Sequence, residues 1–252
     1  MILTAHQPAY LPWLGLLHKI ALSDVFCLFD DVQYLKKEWD NRNRIKTANG
    51  VIWLSVPVLN KDHYQVKCKD VLINRSVSWQ RKHWRSLVAA YKKAAYFHRY
   101  ADFFEDTYSR EWTNLSSLNE HILKYLLEAF AIKVKWVRAS DHMFQGKGSD
   151  LVLDMCRQLK ADVYVFGELG RNYAKIEDFA REGVAVYFQD YRHPSYGQSW
   201  GEFVSHLSAV DLLFNHGPVS GEILMEGNLT KADLCAVTEQ RPSGEILKSG
   251  VA

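Results

Sequence analysis

The chain contains no CxxC pair, no GxGxxG and no GxSxG, and its polar loops hold no HxxxH or HxH. Each absence removes a class of chemistry. Cys27, Cys68, Cys156 and Cys235 lie too far apart for a zinc knuckle or a disulfide framework. Cys27 and Cys156 sit in apolar runs and read as small core residues, and scattered thiols fit a reducing cytosol. Without GxGxxG there is no dinucleotide fingerprint, and without GxSxG there is no serine nucleophile elbow. Histidines without ligand spacing give no reason to expect a metal. No apolar run approaches a membrane span. The start, MILTAHQP, lacks the basic segment and long apolar core of a signal peptide. Strong charge of either sign is also missing: 31 Lys and Arg against 29 Asp and Glu leave +2. An extended nucleic-acid surface is therefore not expected. No internal repeat is visible. The expectation is a cytoplasmic protein without a membrane span.

What is present is apolar and aromatic. The 252 residues are 48% hydrophobic, enough to bury a sizeable core. Aromatics reach 13%, with eight Trp and thirteen Tyr; part is core, and the rest suits a groove for a sugar or another flat ligand. Ile2–Ala5 is a short apolar run stopped by a proline. Trp13, Leu14, Leu17, Ile20 and Ala21 then follow at helical spacing. "DVFCLFDDV" is a second apolar run, so the chain opens as strand, helix, strand. "VIWLSVPVL" and "VLIN" read as strands, and helices are expected from Trp79, through "YADFFEDTYSREW" and over Ser117–Phe130. "KVKWVRAS", "DVYVF" and "VAVYFQDY" read as strands; "GSDLVLDMCRQLKA", "KIEDFAREG" and a closing "HLSAVDLLFNHG" read as helices. Strands alternating with helices predict an α/β fold with a mostly parallel sheet flanked by helices. We expect one catalytic domain over residues 1–240, with a helical insertion at about 78–131 and a frayed tail at 241–252.

In such sheets ligands sit beyond the carboxyl ends of the strands. His6 and Gln7 follow the first strand, Asp30, Asp31 and Gln33 the second, Gly167, Glu168 and Gly170 follow "VYVF", and Gln189, Asp190, Tyr191 and His193 follow "VAVYF". Four polar strand ends are the main functional signal. The bland reading is that a histidine at one strand end is a surface or capping residue, and that two aspartates terminate a strand and cap a helix. "KKEWDNRNRIK" mixes Lys36, Lys37, Arg42, Arg44 and Lys46 with Trp39 and Asn43, cationic forks and an aromatic face that suit a phosphorylated ligand such as a nucleotide. Its bland reading is a solvated face.

"HQPAYLPWLGLLHKIALSDVF", "DDVQYLKKEWDNRNRIKT", "WLSVPV", "FQDYRHPSYGQ" and "HLSAVDLLFNHG" together resemble the WbqC-like family over about residues 1–217. The family pattern falls on His6, Gln7, Pro8, Tyr10, Pro12, Trp13, Gly15 and Lys19, and on Asp30, Asp31, Gln33 and Tyr34. It continues on Trp39, Asn41, Arg42, Asn43 and Ile45, then Gly167, Asn172 and Tyr173. It closes on His193, Pro194, Tyr196, Gln198, Ser208, Asp211 and Asn215. The loop after "VYVF" departs from the usual reading as "GELGRNY". The resemblance implies a role with bacterial surface polysaccharide: modification of a nucleotide-linked amino sugar by an acyl or aminoacyl group.

Three functions follow as expectations. The first is an amide-forming transferase, with an activated acyl or aminoacyl donor, possibly on a carrier, and no certain cofactor. There His6, Asp30, Asp31 and His193 would be catalytic, with His6 as general base because an ordinary imidazole titrates near working pH. The substrate would be held by Gln7, Tyr10, Lys19, Gln33, Tyr34, Lys37, Trp39, Arg42, Asn43, Arg44, Gly167, Asn172, Tyr173, Tyr196 and Gln198. The second is an adenylating or nucleotidyl-transferring enzyme, although the HxGH of such enzymes is missing. The third is a sugar-nucleotide-binding protein without catalysis. Trp13, Leu14 and Leu17 are expected to be buried, and Tyr10 to face the pocket.

Overall fold

The computed structural model describes residues 1–35, 38–59, 66–239 and 246–247. Six parallel strands form one sheet: β1 (Ile2–His6), β2 (Val25–Leu28), β5 (Lys135–Arg138), β6 (Val163–Phe166), β7 (Ala185–Phe188) and β8 (Ile246–Leu247), in the order β5-β2-β1-β6-β7-β8. Counted along the chain this is 3-2-1-4-5-6, a doubly wound arrangement whose order reverses between β1 and β6. The central strands are short and apolar because both faces are covered: β2, β6 and β7 are buried at every position.

Alternation along the strands sorts the helices onto the two faces. Ile2, Val163, Val165 and Tyr187 share one cluster, and Leu3, Tyr164, Phe166 and Val186 share the other. Helix α1 (Leu14–Ala21) continues the first side with Leu14, Leu16, Leu17 and Ile20 in the core. Helices α5 (Ser149–Leu159) and α6 (Ile176–Arg181) cover the second through Val152, Met155, Cys156 and Phe179.

Between β2 and β5 the chain leaves the sheet. It makes an antiparallel hairpin, β3 (Arg42–Thr47) and β4 (Gly50–Ser55), then α2 (Trp79–Tyr91), α3 (Phe97–Ser109) and α4 (Leu115–Ala129). These pack with α1 and α7 (Val210–His216) in one continuous apolar cluster. α4 starts where Asn114 accepts a hydrogen bond from Ser117 N–H, an N-cap.

Three expectations are corrected. Among the described residues "VLIN" makes isolated bridges rather than a strand, Val58 with Ile73 and Leu72 with Asn114, and Asn74 and the Ser76 turn end it at once. α7 is not the closing helix: α8 (Ser220–Met225), α9 (Lys231–Glu239) and β8 follow it, and Leu224, Leu229 and Leu234 reach the apolar core. Trp13 is not a buried helical residue. It precedes α1 in extended conformation, bridged to Ser208 and half-buried. Its six-membered ring lies over Gly15, where a Cβ would meet it at 2.2 Å, so any larger residue at 15 displaces the indole.

Candidate functional site

The strand order reverses between β1 and β6, and three residues of the sequence motifs meet at the C-terminal ends of these strands. His6 ends β1 and Gly167 follows β6. Lys19 comes from α1, where its side chain is buried and its Nζ donates to the Ala5 carbonyl at 3.0 Å. Gly167 lies against the same ammonium: a Cβ there would stand 4.0 Å from Lys19 Nζ. The other two Nζ–H groups make no hydrogen bond among the described residues. Burial pushes the Lys19 pKa down to about 8, so it remains mostly charged at neutral pH.

His6 Nδ1 donates to the Gln7 carbonyl at 2.8 Å, which fixes the neutral tautomer and leaves Nε2 as a lone-pair acceptor. Desolvation, and then the Lys19 charge, pull the His6 pKa down to about 3. The expectation of a near-neutral base is thereby corrected: the resting imidazole is neutral and weakly basic.

The aspartates after β2 are spent on the protein. Asp30 is buried and accepts from Ser140 N–H at 2.9 Å and Ser140 Oγ–H at 2.7 Å, tying the end of β2 to the turn after β5. Asp31 pairs with Lys67 at 2.7 Å and Lys69 at 2.5 Å; these lysines overcome its desolvation and hold its pKa low. Neither aspartate is hydrogen-bonded to His6, whose ring bonds only Gln7 among the described residues.

Gln7 points the other way from β1. Its Nε2 donates to the Gln33 carbonyl at 3.1 Å and reaches Cys68 Sγ at 3.9 Å. Cys68 Sγ in turn lies 3.9 Å from Asp40 Oδ2. Tyr34 is buried, and Asp40 is among the groups that raise its pKa to about 12, after desolvation. Asp40 was not singled out from sequence. Desolvation pushes its carboxyl up to about 7, and the Leu35 N–H only partly offsets this.

Several expected binding residues serve as braces. Tyr10 is fully buried, and its hydroxyl bonds His83 Nδ1 at 2.8 Å and Tyr108 at 2.6 Å, so it does not offer its hydroxyl to a ligand. Tyr10 is apolar enough, and its hydroxyl well enough paired, to be core. Asn43 is buried and donates to the Leu11 carbonyl at 2.6 Å, steadying a residue at φ 44°. Tyr196 is buried, its hydroxyl donating to Asp211 at 3.1 Å. Gln198 accepts from Lys46 Nζ at 3.0 Å and from Val204 N–H at 2.9 Å, which pins the loop between β7 and α7.

The basic segment divides. Trp39 and Trp53 are exposed with ring centroids 5.5 Å apart; the Arg42 guanidinium stands 4.5 Å from the Trp53 ring and that of Arg44 5.6 Å. Arg44 also donates to the His206 carbonyl at 3.2 Å. Lys36 and Lys37 lie outside the described residues. Gln33 is exposed beside Lys67, and Asn172 and Tyr173 are exposed at the end of the turn after β6.

His193, after β7, donates from Nδ1 to the Pro194 carbonyl at 2.9 Å. Its ring neighbours are Tyr191, Tyr196, Phe203 and His206, so it belongs to a cluster distinct from the His6 contacts, with β6 between their strands. Tyr191 and His206 carried signals in the sequence, at a strand end and at the head of "HLSAVDLLF", but no local pattern shows that they meet. A hollow lined by Leu127, Ile132, Val134 and Trp136 sits at the start of β5, the opposite end of the sheet from these groups.

A parallel sheet of order 3-2-1-4-5-6 with helices on both faces places the chain among the doubly wound α/β proteins. The chain belongs to the WbqC-like protein family, whose model matches residues 7–223. It is 36% identical over 220 residues to "Uncharacterized protein Rv1507c" of Mycobacterium tuberculosis (strain ATCC 25618 / H37Rv), covering 86% of this chain and 95% of the relative. No solved structure matches it. Among the described residues no helix is long and apolar enough to cross a membrane, and no group of three His, Cys, Asp or Glu is placed to hold a metal ion.

Proposed function

We propose that the chain is a transferase of surface-polysaccharide biosynthesis that acylates or aminoacylates the amine of a nucleotide-linked amino sugar. One observation carries this reading: where the sheet order reverses, a buried lysine ammonium stands beside a histidine, and among the described residues two of its donors and the histidine Nε2 have no hydrogen-bond partner. A buried charge without a carboxylate is costly, and an anion from solution is the partner that repays it. The diphosphate of a sugar nucleotide fits Lys19, with Gly167 allowing close backbone approach.

The same anion bears on His6. Part of the depression of its pKa comes from the Lys19 charge, so a bound phosphate raises the proton affinity of Nε2 as the substrate arrives. In the transfer, the amine nitrogen attacks the donor carbonyl, the bond to the donor's leaving group breaks, and the amine proton passes to Nε2. Asp30 and Asp31, which a nucleotidyl-transferring mechanism would use for Mg²⁺, are engaged by Ser140 and by two lysines, which favours the first reading. The test is incubation with nucleotide-linked amino sugars and activated acyl or aminoacyl donors, read by mass spectrometry. A mass increase on the sugar nucleotide that is lost in His6→Ala supports it. Binding of the nucleotide with no product from any donor refutes the transfer.

A further inference from the structure

A second wall of rings stands on the same edge of the sheet, and the transfer chemistry above leaves it unused. Tyr191 follows β7, and Trp13 immediately precedes α1. The two rings meet edge to face at 5.8 Å. His193 lies 6.1 Å from Tyr191 and 5.0 Å from His206, and His206 stacks on Trp13 at 5.5 Å. Four rings thus close a circuit, which the half-exposed Phe203 extends at 5.8 Å from His193.

Two polar atoms buried in this circuit have no hydrogen-bond partner among the described residues: Tyr191 Oη and His193 Nε2. Buried polar atoms are nearly always paired, so two orphans on neighbouring rings point to a ligand. Their chemistry narrows the class. His193 Nδ1–H is committed to the Pro194 carbonyl, so Nε2 offers a lone pair and requires a donor. The tyrosine hydroxyl both donates and accepts. The ring contacts of both residues are with other aromatic or imidazole rings. The fully ionised diphosphate of a sugar nucleotide, which brings only acceptors and charge, leaves Nε2 unsatisfied. A sugar ring supplies hydroxyls that donate and accept, and C–H faces that pack on aromatic walls.

We propose that Tyr191 and His193, walled by Trp13 and His206, form the subsite for the pyranose ring of the acceptor, distinct from the Lys19 anion site. The proposal rests on the sugar-nucleotide reading for its choice of sugar, but not on the transfer reaction. Loop 198–206 shapes the wall: Lys46 holds Gln198, and Arg44 holds the His206 carbonyl. The hairpin motif thereby positions a sugar-binding ring without touching the sugar.

The experiment titrates the full chain with UDP-glucosamine, UDP and glucosamine, following the His193 imidazole signals by NMR and affinity by calorimetry. Both sugar-bearing probes should shift His193, and UDP alone should not. Tyr191→Phe should weaken UDP-glucosamine about tenfold, the scale of one lost hydrogen bond, and leave UDP within about twofold. His193→Gln should do the same, while Lys19→Met should weaken both nucleotides. A His193 shift with UDP alone, no shift with either sugar, or unchanged UDP-glucosamine affinity in Tyr191→Phe overturns the subsite. Sugar binding without turnover refutes the transferase and leaves the subsite standing; turnover with an unperturbed His193 does the reverse.

Discussion

Lys19→Met separates a binding lysine from a structural strut, because the two roles predict opposite signs for stability. The Lys19 pKa falls from 10.5 to about 8 on burial. At 1.36 kcal/mol per unit this places on the order of 3 kcal/mol against the charged form in the folded protein. Methionine fills the same volume without charge, and the lost bond to the Ala5 carbonyl returns about 1 kcal/mol of that gain. The net expectation at pH 7 is about 2 kcal/mol of added stability, or a Tm higher by about 4–8 °C in a chain of this size. Between about pH 8 and 10.5 the unfolded chain holds the Lys19 proton more than the folded chain does, so wild-type stability rises with pH through that window. The advantage of the variant is full below pH 8 and disappears as pH approaches 10.5. Thermal unfolding at pH 7 and pH 10, with calorimetry against a sugar nucleotide, tests the argument. Stabilisation with lost binding marks a site that sacrifices stability for function. A loss of stability at pH 7, or an equal gain at both pH values, refutes it.

Asp40→Asn should stabilise at pH 8, where the wild-type carboxylate is ionised and buried, and be neutral near pH 4, where folded and unfolded states both approach protonation; urea unfolding at the two pH values checks this. Tyr10→Phe should cost about 1–3 kcal/mol by orphaning His83 and Tyr108 in the core, with ligand affinity unchanged by calorimetry. His6→Ala should remove activity by about 10²–10⁴-fold. It should also reduce the loss of stability below pH 6.5, because the folded protein resists protonating His6 until about pH 3; melting curves between pH 4 and 7 report it.

Short-range pattern made the frame legible. The runs at Ile2, Val25, Val163 and Ala185 are too short and too apolar for surface helices, and they became the buried parallel strands. His6 and Gly167 were each legible as strand-end residues, but that their strands are adjacent is seen only in the sheet order. What stayed hidden depends on contacts between distant residues. Tyr10 lies in a polar segment that looks open to a ligand, yet His83 and Tyr108, more than seventy residues away, enclose its hydroxyl. Asp40 reads as one more loop aspartate until Cys68 and Leu35 surround it. The His6 pKa was misread for the same reason: burial by the surrounding fold depresses it first, and then the Lys19 charge, thirteen residues on and brought close by the turn into α1.

The first question such a chain poses is why two prolines and a tryptophan separate the first strand from its helix. The contacts of that segment supply the answer. Tyr10 N–H bonds the Trp39 carbonyl at 3.1 Å, Asn43 bonds the Leu11 carbonyl, and Ala209 N–H bonds the Pro12 carbonyl at 2.8 Å. Ser208 N–H then bonds the Arg44 carbonyl at 2.9 Å. The strand-to-helix connection, the hairpin and the entry to α7 are therefore interlocked through main-chain groups. Prolines at 8 and 12 fix two backbone angles of the connection and reduce its freedom in the unfolded chain. The long motifs mix two kinds of residue for this reason. Tyr10, Asn43, Tyr196 and Gln198 hold the connections, and His6, Lys19 and His193 keep ring or ammonium positions unfilled within them. Under the proposed reading, a site built on a rigid connection of this sort loses little entropy when a ligand arrives.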